Sequence, residues 1–206
     1  MRILIACEFS GTVRDAFIKA GHNAVSCDIE PCDKPGPHIQ DDVLNVIKFP
    51  NTWDMMIAHP PCTYLTVTGN KWFKPEYKDR FPTRQQDRED AIKFFMALMN
   101  ANIPKIAVEN PIGIMSTTFR KPDQIIQPWQ YGHEASKSTC LWLKGLPKLV
   151  PTNIVDKGEF VTYKSGKRMT KWYADAASLS PKERAKVRNT TFQGIADAMA
   201  DQWGTA

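Results

Sequence analysis

Cys62 is the residue whose surroundings most clearly suggest chemistry. It follows Pro60 and Pro61, and two successive prolines leave the backbone little freedom. A cysteine held in this way can be aimed into a cleft as a nucleophile. Addition of its thiolate to carbon 6 of a pyrimidine would make carbon 5 nucleophilic enough to attack an activated methyl group. The alternative is a buried or simply exposed thiol, which is the commoner situation for a lone cysteine.

Glu109 is a partner for this chemistry, in the segment Glu109-Asn110-Pro111. A carboxyl group near ring nitrogen 3 could protonate that nitrogen and ease the addition of cysteine at carbon 6. This role predicts a raised pKa for Glu109. The alternative is an exposed glutamate at a helix cap. The apolar run 106–108 before Glu109 favours a position at the mouth of a sheet.

A third segment, Glu8-Phe9-Ser10-Gly11, reads as a turn between a strand and a helix. Glycine there lets a ligand approach the backbone, and a helix N-terminus offers free N–H groups. Asp28, at the end of the next predicted strand, could accept hydrogen bonds from a ribose. Taken alone, these residues fit a nucleotide-like ligand or an ordinary tight turn equally well.

Strands that alternate with helices must position these residues. Alternating βαβ units predict an α/β fold, a Rossmann-like doubly wound and mostly parallel sheet, with a small C-terminal hairpin and helical appendage. The carboxyl ends of parallel strands share one edge, so Glu8, Asp28, Cys62 and Glu109 should share one cleft. Strands are predicted over 2–7, 23–27, 38–43, 53–58 and 104–108, helices over 13–19, 84–100, 181–187 and 195–203, a long loop over 63–83, and a hairpin over 160–172.

Composition limits the classes of protein that fit. The 206 residues are 42% hydrophobic, which suits one compact domain with a small appendage. Five cysteines with no CxxC pair argue against a disulfide framework and a metal site, and Cys7, Cys27 and Cys140 are predicted to be buried. Reduced thiols, the lack of a signal-peptide pattern and the lack of a long apolar run predict a cytoplasmic protein with no membrane segment.

The net charge of +5 permits contact with nucleic acid phosphates without requiring it. Lys71 and Trp72 lie in a loop that mixes aromatic and basic side chains, and this loop could pack against a base or act as a lid. Basic residues also cluster on the predicted hairpin, where phosphate contact and a solvated basic face are the two interpretations. These residues are Lys164, Lys167, Arg168 and Lys171.

The order of these motifs resembles that of the DNA cytosine-5 methyltransferases, and within them the compact phage and prophage members. The resemblance covers roughly residues 1–145. It includes the Phe9-Ser10-Gly11 turn, Pro61-Cys62, Glu109-Asn110, and Tyr131-Gly132 followed by Lys137. The Pro-Cys and Glu-Asn pairs, each after a strand, are the most specific part.

The resemblance implies a role for each matching residue. Cys62 would be the nucleophile, Glu109 the acid on the ring, and Asn110 would order the site, with Lys137 in place of a family arginine. A cytosine in double-stranded DNA would be flipped out of the helix to reach Cys62. S-adenosylmethionine would be bound by Glu8, Phe9, Ser10, Gly11, Asp28, Ile29, Asp42 and Pro61.

The sequence also departs from the family pattern. Thr139 stands where a second arginine is usual, and Gln193-Gly194-Ile195 is the nearest match to the family's C-terminal Gly-Asn. The expected organisation is a catalytic domain over 1–145, a reduced target-recognition region over 146–180, and a C-terminal helix over 181–206 that packs back on the catalytic domain.

The predicted activity is methyl transfer to cytosine carbon 5 in DNA, with short or relaxed sequence specificity. If the chain is phage-encoded, it acts in the cytoplasm of the bacterial host. One alternative is an enzyme that modifies carbon 5 of a free pyrimidine nucleotide, because the recognition region is so small. Another alternative is a non-catalytic nucleic-acid-binding remnant of the fold, against which the intact Cys62 and Glu109 argue.

Overall fold

A computed structural model describes residues 1–205 of the chain. Its strands are β1 (Arg2–Ala6), β2 (Asn23–Asp28), β3 (His38–Gln40), β4 (Met55–Ala58), β5 (Lys105–Pro111), β6 (Gln124–Ile126), β7 (Thr139–Lys144), β8 (Phe160–Thr162) and β9 (Arg168–Thr170). Its α-helices are α1 (Thr12–Lys19), α2 (Val43–Val46), α3 (Arg84–Met99), α4 (Met115–Thr118), α5 (Lys171–Asp175), α6 (Pro181–Asn189) and α7 (Gln193–Gly204).

The main sheet has seven strands in the order β3-β2-β1-β4-β5-β7-β6. The five strands from β3 to β5 are parallel. Strand β7 runs antiparallel to both of its neighbours, β5 and β6. Parallel strands that spread outward in both directions from β1 and β4 define a doubly wound Rossmann-like sheet. With one reversed strand, β7, this topology confirms the predicted fold class, a Rossmann-like doubly wound and mostly parallel sheet.

Each face of the sheet is buried by helices, because parallel strands are apolar on both faces. On one face, α1 and α7 pack against β1 and β4, with Phe17 and Trp203 fully buried. On the other face, α2 and α3 cover the same strands, with Phe95 against Trp142 of β7. The last helix therefore completes the core around the first strand.

The structure corrects several element predictions. Strands β6 and β7 were not predicted, although the apolar run Thr139–Lys144 was a signal for the latter. The third strand ends at Gln40, because Asp42 caps helix α2 by accepting a hydrogen bond from Leu44 N at 2.9 Å. Residues 63–83 include two 3₁₀ helices, Val67–Phe73 and Pro75–Tyr77. Cys27 and Cys140 are buried as predicted, whereas Cys7 is partly exposed and adopts a positive φ of 58°.

The predicted hairpin is present as β8 and β9, around Ser165-Gly166. It belongs to a larger stretch, residues 157–190, which we call the basic segment and which also includes α5 and α6. Within it, Ala176 is the one buried residue. Among residues 1–205, none of the helices is long and apolar enough to cross a membrane. The proposed division at residues 145 and 180 stays a prediction.

Candidate active site

The site is built where two neighbouring strands part. Pairing of β4 with β5 ends at Ala58 and Val108. Beyond that point β4 gives way to His59-Pro60-Pro61-Cys62, since proline cannot continue a central strand. Strand β5 continues through Glu109 and Asn110 because β7 pairs with it on its other side. Glu109 thus lies within a strand, not after one, and faces the gap left by β4.

Asn110 joins the two chain segments. It is buried, and its Nδ2 donates a hydrogen bond of 2.9 Å to the carbonyl oxygen of Pro60. The turn after Cys62 is fixed as well, because Leu65 N and Thr66 N both donate to the Cys62 carbonyl oxygen at 3.0 Å. The backbone that carries the thiol is therefore held on both sides of Cys62.

Farther along, the loops after Cys62 and Asn110 pair with each other. Val67 N donates to Ile112 O at 3.1 Å, and Ile114 N donates to Leu65 O at 2.8 Å. Gly113 allows this approach, since a Cβ there would lie 2.0 Å from the Leu65 carbonyl oxygen. Sequence reasoning did not single out Gly113, although a glycine so close to Glu-Asn was a usable signal.

Glu109 pairs with a residue that the sequence analysis left out of the catalytic set. Its Oε2 lies 3.1 Å from Nδ1 of His59, and the side chains are 18% and 8% exposed, respectively. The other ring nitrogen of His59, Nε2, is buried without a hydrogen-bond partner among the described residues.

The pKa of Glu109 differs from the expectation. Burial raises it, but the hydrogen bond from His59 and the positive charge of Lys137 outweigh burial, so the pKa lies below its usual range. The raised pKa predicted from the sequence is therefore wrong for the protein without ligand. The resting side chain is a carboxylate.

Cys62 shows the opposite tendency. Burial raises its pKa, the nearby Glu109 carboxylate raises it further, and Lys137 lowers it. The resting pair is thus a thiol beside a carboxylate.

Lys137 reaches this pair from the loop before β7. Its Nζ donates a hydrogen bond of 2.8 Å to the carbonyl oxygen of Arg188, at the end of α6. Thr139, at the position of the usual second arginine, is buried, and its hydroxyl donates to the Lys137 carbonyl oxygen at 3.3 Å.

The Tyr131-Gly132 motif packs against the start of α7. A Cβ at Gly194 would lie 1.9 Å from the Tyr131 carbonyl oxygen, and Gly194 N donates to Nε2 of His133 at 2.9 Å. Burial raises the pKa of Tyr131 to about 12. The glycine of the predicted C-terminal motif therefore has a structural reason, which is close approach to the Tyr-Gly turn.

On the other side of the cleft, Glu8 organises the turn after β1. Its buried carboxylate accepts hydrogen bonds from Val13 N at 2.7 Å, Arg14 N at 3.2 Å and the Ser10 hydroxyl at 3.3 Å. A carboxylate at a helix N-terminus is favoured because it satisfies free N–H groups. Glu8 thus shapes the turn that includes Phe9, Ser10 and Gly11.

Arg14 is fully buried beneath this turn, which the sequence did not suggest. Its guanidinium donates to Asp15, Ser26, Cys32 and the Pro35 carbonyl oxygen. Gly11 and Gly36 flank it, and a Cβ at either position would lie within 2.7 Å of guanidinium atoms. Arg14 therefore ties the loop 31–37 to the Gly11 turn.

Asp28, Ile29 and Asp42 line the same edge of the sheet. Burial raises the pKa of Asp28, whose Oδ1 accepts a hydrogen bond from Glu30 N at 3.0 Å. Ile29 is 72% exposed, so a flat ring could cover it. A carboxylate beside an exposed apolar side chain suits a ribose and an adenine. Pro61, also predicted to contact the cofactor, is exposed beside Cys62.

Lys71 and Trp72 lie in the first 3₁₀ helix after Cys62. Lys71 Nζ is 4.2 Å from the Trp72 ring centroid, and Trp72 packs edge-on against Tyr77 and Phe81. Arg88 stacks on Phe73 at 3.2 Å and donates to the Tyr64 carbonyl oxygen. The loop that follows Cys62 is thus an ordered stack of aromatic and basic side chains.

The basic segment carries the excess positive charge. Residues 157–190 contain nine lysines and arginines and three acidic residues, whereas the rest of the chain contains 18 and 19. Lys164, Lys167 and Arg168 are exposed at the hairpin, and Lys171 pairs with Glu159 and Asp175. Helix α6 adds Lys182, Arg184, Lys186 and Arg188, which the sequence analysis did not include.

Across residues 1–205, no group of three or more His, Cys, Asp or Glu side chains is placed to hold a metal ion. No family model matches the sequence, and no curated protein matches it either.

Two solved methyltransferase structures are similar in fold. One is a triple mutant of Spodoptera frugiperda DNMT2, with 16% identity and a TM-score of 0.44 over 76% of this chain and 54% of that chain. The other is S. pombe Dnmt2 methyltransferase, with 13% identity and a TM-score of 0.44 over 100% of this chain and 66% of that chain. The chain spans about half to two thirds of the length of these structures.

Proposed function

We propose that this chain transfers a methyl group from S-adenosylmethionine to carbon 5 of cytosine in DNA, through a covalent adduct of Cys62. One observation supports this above all others. A partly buried thiol and a carboxylate lie at the parting of β4 and β5, and Asn110 fixes the two segments to each other. We also propose that the chain is a compact member of the phage and prophage type.

The ionisation of the pair supports a balanced first step. The Cys62 S–H bond breaks and its proton passes to Glu109, while the sulfur forms a bond to carbon 6. The carboxyl proton then moves to nitrogen 3, so the adduct is neutral and Glu109 is again a carboxylate. General acid catalysis of this kind contributes roughly 10²–10⁴-fold to rate. Lys137 stabilises the thiolate while it forms, since its charge lowers the pKa of Cys62.

Carbon 5 of the adduct is an enamine carbon and therefore nucleophilic. S-adenosylmethionine, when bound, supplies the electrophilic methyl group. Afterwards carbon 5 loses its proton to solvent water, the electron pair of that C–H bond restores the 5,6 double bond, and Cys62 leaves as thiolate. The nitrogen 3 proton returns through Glu109 to the sulfur.

The residues that follow β1, β2 and β3, at the same edge of the sheet as Cys62, fit this cofactor. Asp28 and exposed Ile29 would hold the ribose and adenine, Asp42 lies on the same edge, and the Phe9–Gly11 turn would hold the amino acid part. We expect calorimetry with S-adenosylhomocysteine to show binding that Asp28→Ala weakens about tenfold, a usual cost for a lost hydrogen bond to a charged group. Unchanged binding in Asp28→Ala would contradict the cofactor assignment.

Nucleic acid is the favoured substrate because the excess positive charge is concentrated in one exposed segment. Such a segment suits a phosphate backbone more than a single nucleotide. The decisive experiment is mass analysis of nucleosides from cellular DNA and RNA after expression, with Cys62→Ala as the control. 5-Methylcytosine in DNA that depends on Cys62 supports the proposal. If the same product appears only in RNA, or turnover occurs only on a free nucleotide, the substrate is RNA or the nucleotide and not DNA.

A further inference from the structure

His59 stands out among the buried groups that this mechanism leaves unused. It directly follows β4, three residues before Cys62, and its Nδ1 lies 3.1 Å from Glu109 Oε2. This is the one hydrogen bond to the Glu109 carboxylate among residues 1–205. At 8% side-chain exposure, water has little access to the ring.

The backbone around His59 leaves it little choice of position. His59 N donates to the Ala6 carbonyl oxygen at 2.9 Å, which anchors the residue to β1. The next residue, Pro60, is held through its carbonyl oxygen by Asn110. Asn110 and Glu109 are adjacent in β5. The hydrogen bond from Asn110 to Pro60 therefore fixes His59 relative to Glu109.

We propose that His59 is a positioning residue for Glu109: it donates from Nδ1 to Oε2, and so turns Oε1 towards the base and the thiol. This inference rests on the proposed function. The hydrogen bond fixes the carboxylate plane and favours its ionised form, which is the form that can accept the Cys62 proton. Bound in this way, Glu109 starts each cycle as a base and becomes an acid only after Cys62 has given up its proton.

Three other titratable groups face Glu109, and each must be accounted for. Lys137 also favours the carboxylate. Cys62 is the proton donor of the first step. Cys140, which belongs to β7 and whose pKa burial raises to about 11, remains a neutral thiol near neutral pH. The decrease in kcat at acidic pH should therefore follow the pKa of Glu109, which His59 and Lys137 lower.

The test compares three substitutions of His59. His59→Asn keeps an N–H close to the Nδ1 position, whereas His59→Gln places its amide near Nε2, and His59→Phe removes the donor. Loss of the donor should raise the pKa of Glu109. We expect the acid limb of the kcat–pH profile to move to higher pH in His59→Gln and His59→Phe, and to stay near wild type in His59→Asn. KM for DNA should not change.

A second measurement makes the result independent of turnover. The ¹³C carboxyl resonance of Glu109, assigned by its loss in Glu109→Gln, is titrated in the wild type and in each variant. The same order of pKa values is expected. Equal values in all four proteins, or a shift in His59→Asn as large as in His59→Gln, would overturn the proposal. A shifted resonance with an unchanged pH profile would overturn the role in the reaction. Wild-type protein that transfers no methyl group would instead contradict the proposed function, while the titration would still test the His59 contact.

Discussion

The cleft and the basic segment hold their charged side chains in opposite ways. In the cleft, Glu109 is 18% exposed and bound to His59, and the thiol loop is fixed by Asn110. In the basic segment, the cations at the hairpin tip point to solvent, and helix α6 has no buried residue. Chemistry requires reacting groups at fixed positions, whereas contact with phosphates requires only charge at the surface. Substitutions in the cleft should therefore reduce the rate of methyl transfer, whereas substitutions in the basic segment should reduce DNA affinity.

The largest effect is expected for Cys62→Ala. Without the thiol no adduct forms, so methyl transfer should be abolished, while binding of DNA and cofactor should persist. DNA that contains 5-fluorocytosine should trap the wild-type enzyme as a stable adduct, visible by denaturing gel, because the fluorine at carbon 5 cannot leave as a proton does. Normal turnover in Cys62→Ala would exclude the covalent mechanism.

Glu109→Gln should come next. The amide keeps the shape of the side chain but cannot pass a proton from sulfur to nitrogen 3. We expect kcat to fall about a hundredfold, within the usual range for general acid–base catalysis, with cofactor affinity unchanged. Single-turnover kinetics would measure this loss, and a rate within twofold of wild type would contradict the role of Glu109.

A pair of glycine substitutions compares the rigidity of the two regions. Gly113→Ala places a Cβ 2.0 Å from the Leu65 carbonyl oxygen, so the paired loops must separate, at a cost of about 2 kcal/mol or more. Gly166→Ala, at the hairpin tip, meets no atom within 4 Å and only bears the strain of φ 77°, about 1 kcal/mol. Denaturant unfolding of both variants would measure the difference, and equal losses would refute it.

The smallest effect is expected from joint neutralisation of Lys164, Lys167 and Arg168 to glutamine. DNA affinity should fall about tenfold, equally on all sequences, with a shallower dependence on salt and little change in kcat. Binding assays at several salt concentrations would show this. A loss confined to one sequence would mean that these side chains read bases instead of phosphates.

The sequence was most informative about positions along single strands. Strand ends at Asp28 and Ala58 followed from local apolar runs and from the prolines after His59. It was least informative about contacts between distant segments. The pairing of His59 with Glu109 spans 50 residues, and the burial of Arg14 depends on Gly36 across the loop.

The error about Glu109 has the same origin. The residue types suggested an acid with a raised pKa, and burial does act in that direction. Its neighbours, His59 and Lys137, come from other parts of the chain and reverse the result. No local pattern could reveal that reversal, because a pKa depends on groups that only the fold brings together.

The placement of β7 and α7 has a consequence for how the chain acquires this structure. Strand β5 keeps an open edge along Glu109 and Asn110 until β7 pairs with it, and an unpaired edge invites pairing with other chains. The face of β1 near Phe17 is likewise uncovered until α7 arrives with Trp203. Such distant partners slow folding, since a long loop must close before the contacts form. A nascent chain that has reached residue 138 therefore still exposes both the unpaired edge of β5 and the apolar face of β1. At this stage aggregation competes most strongly with folding.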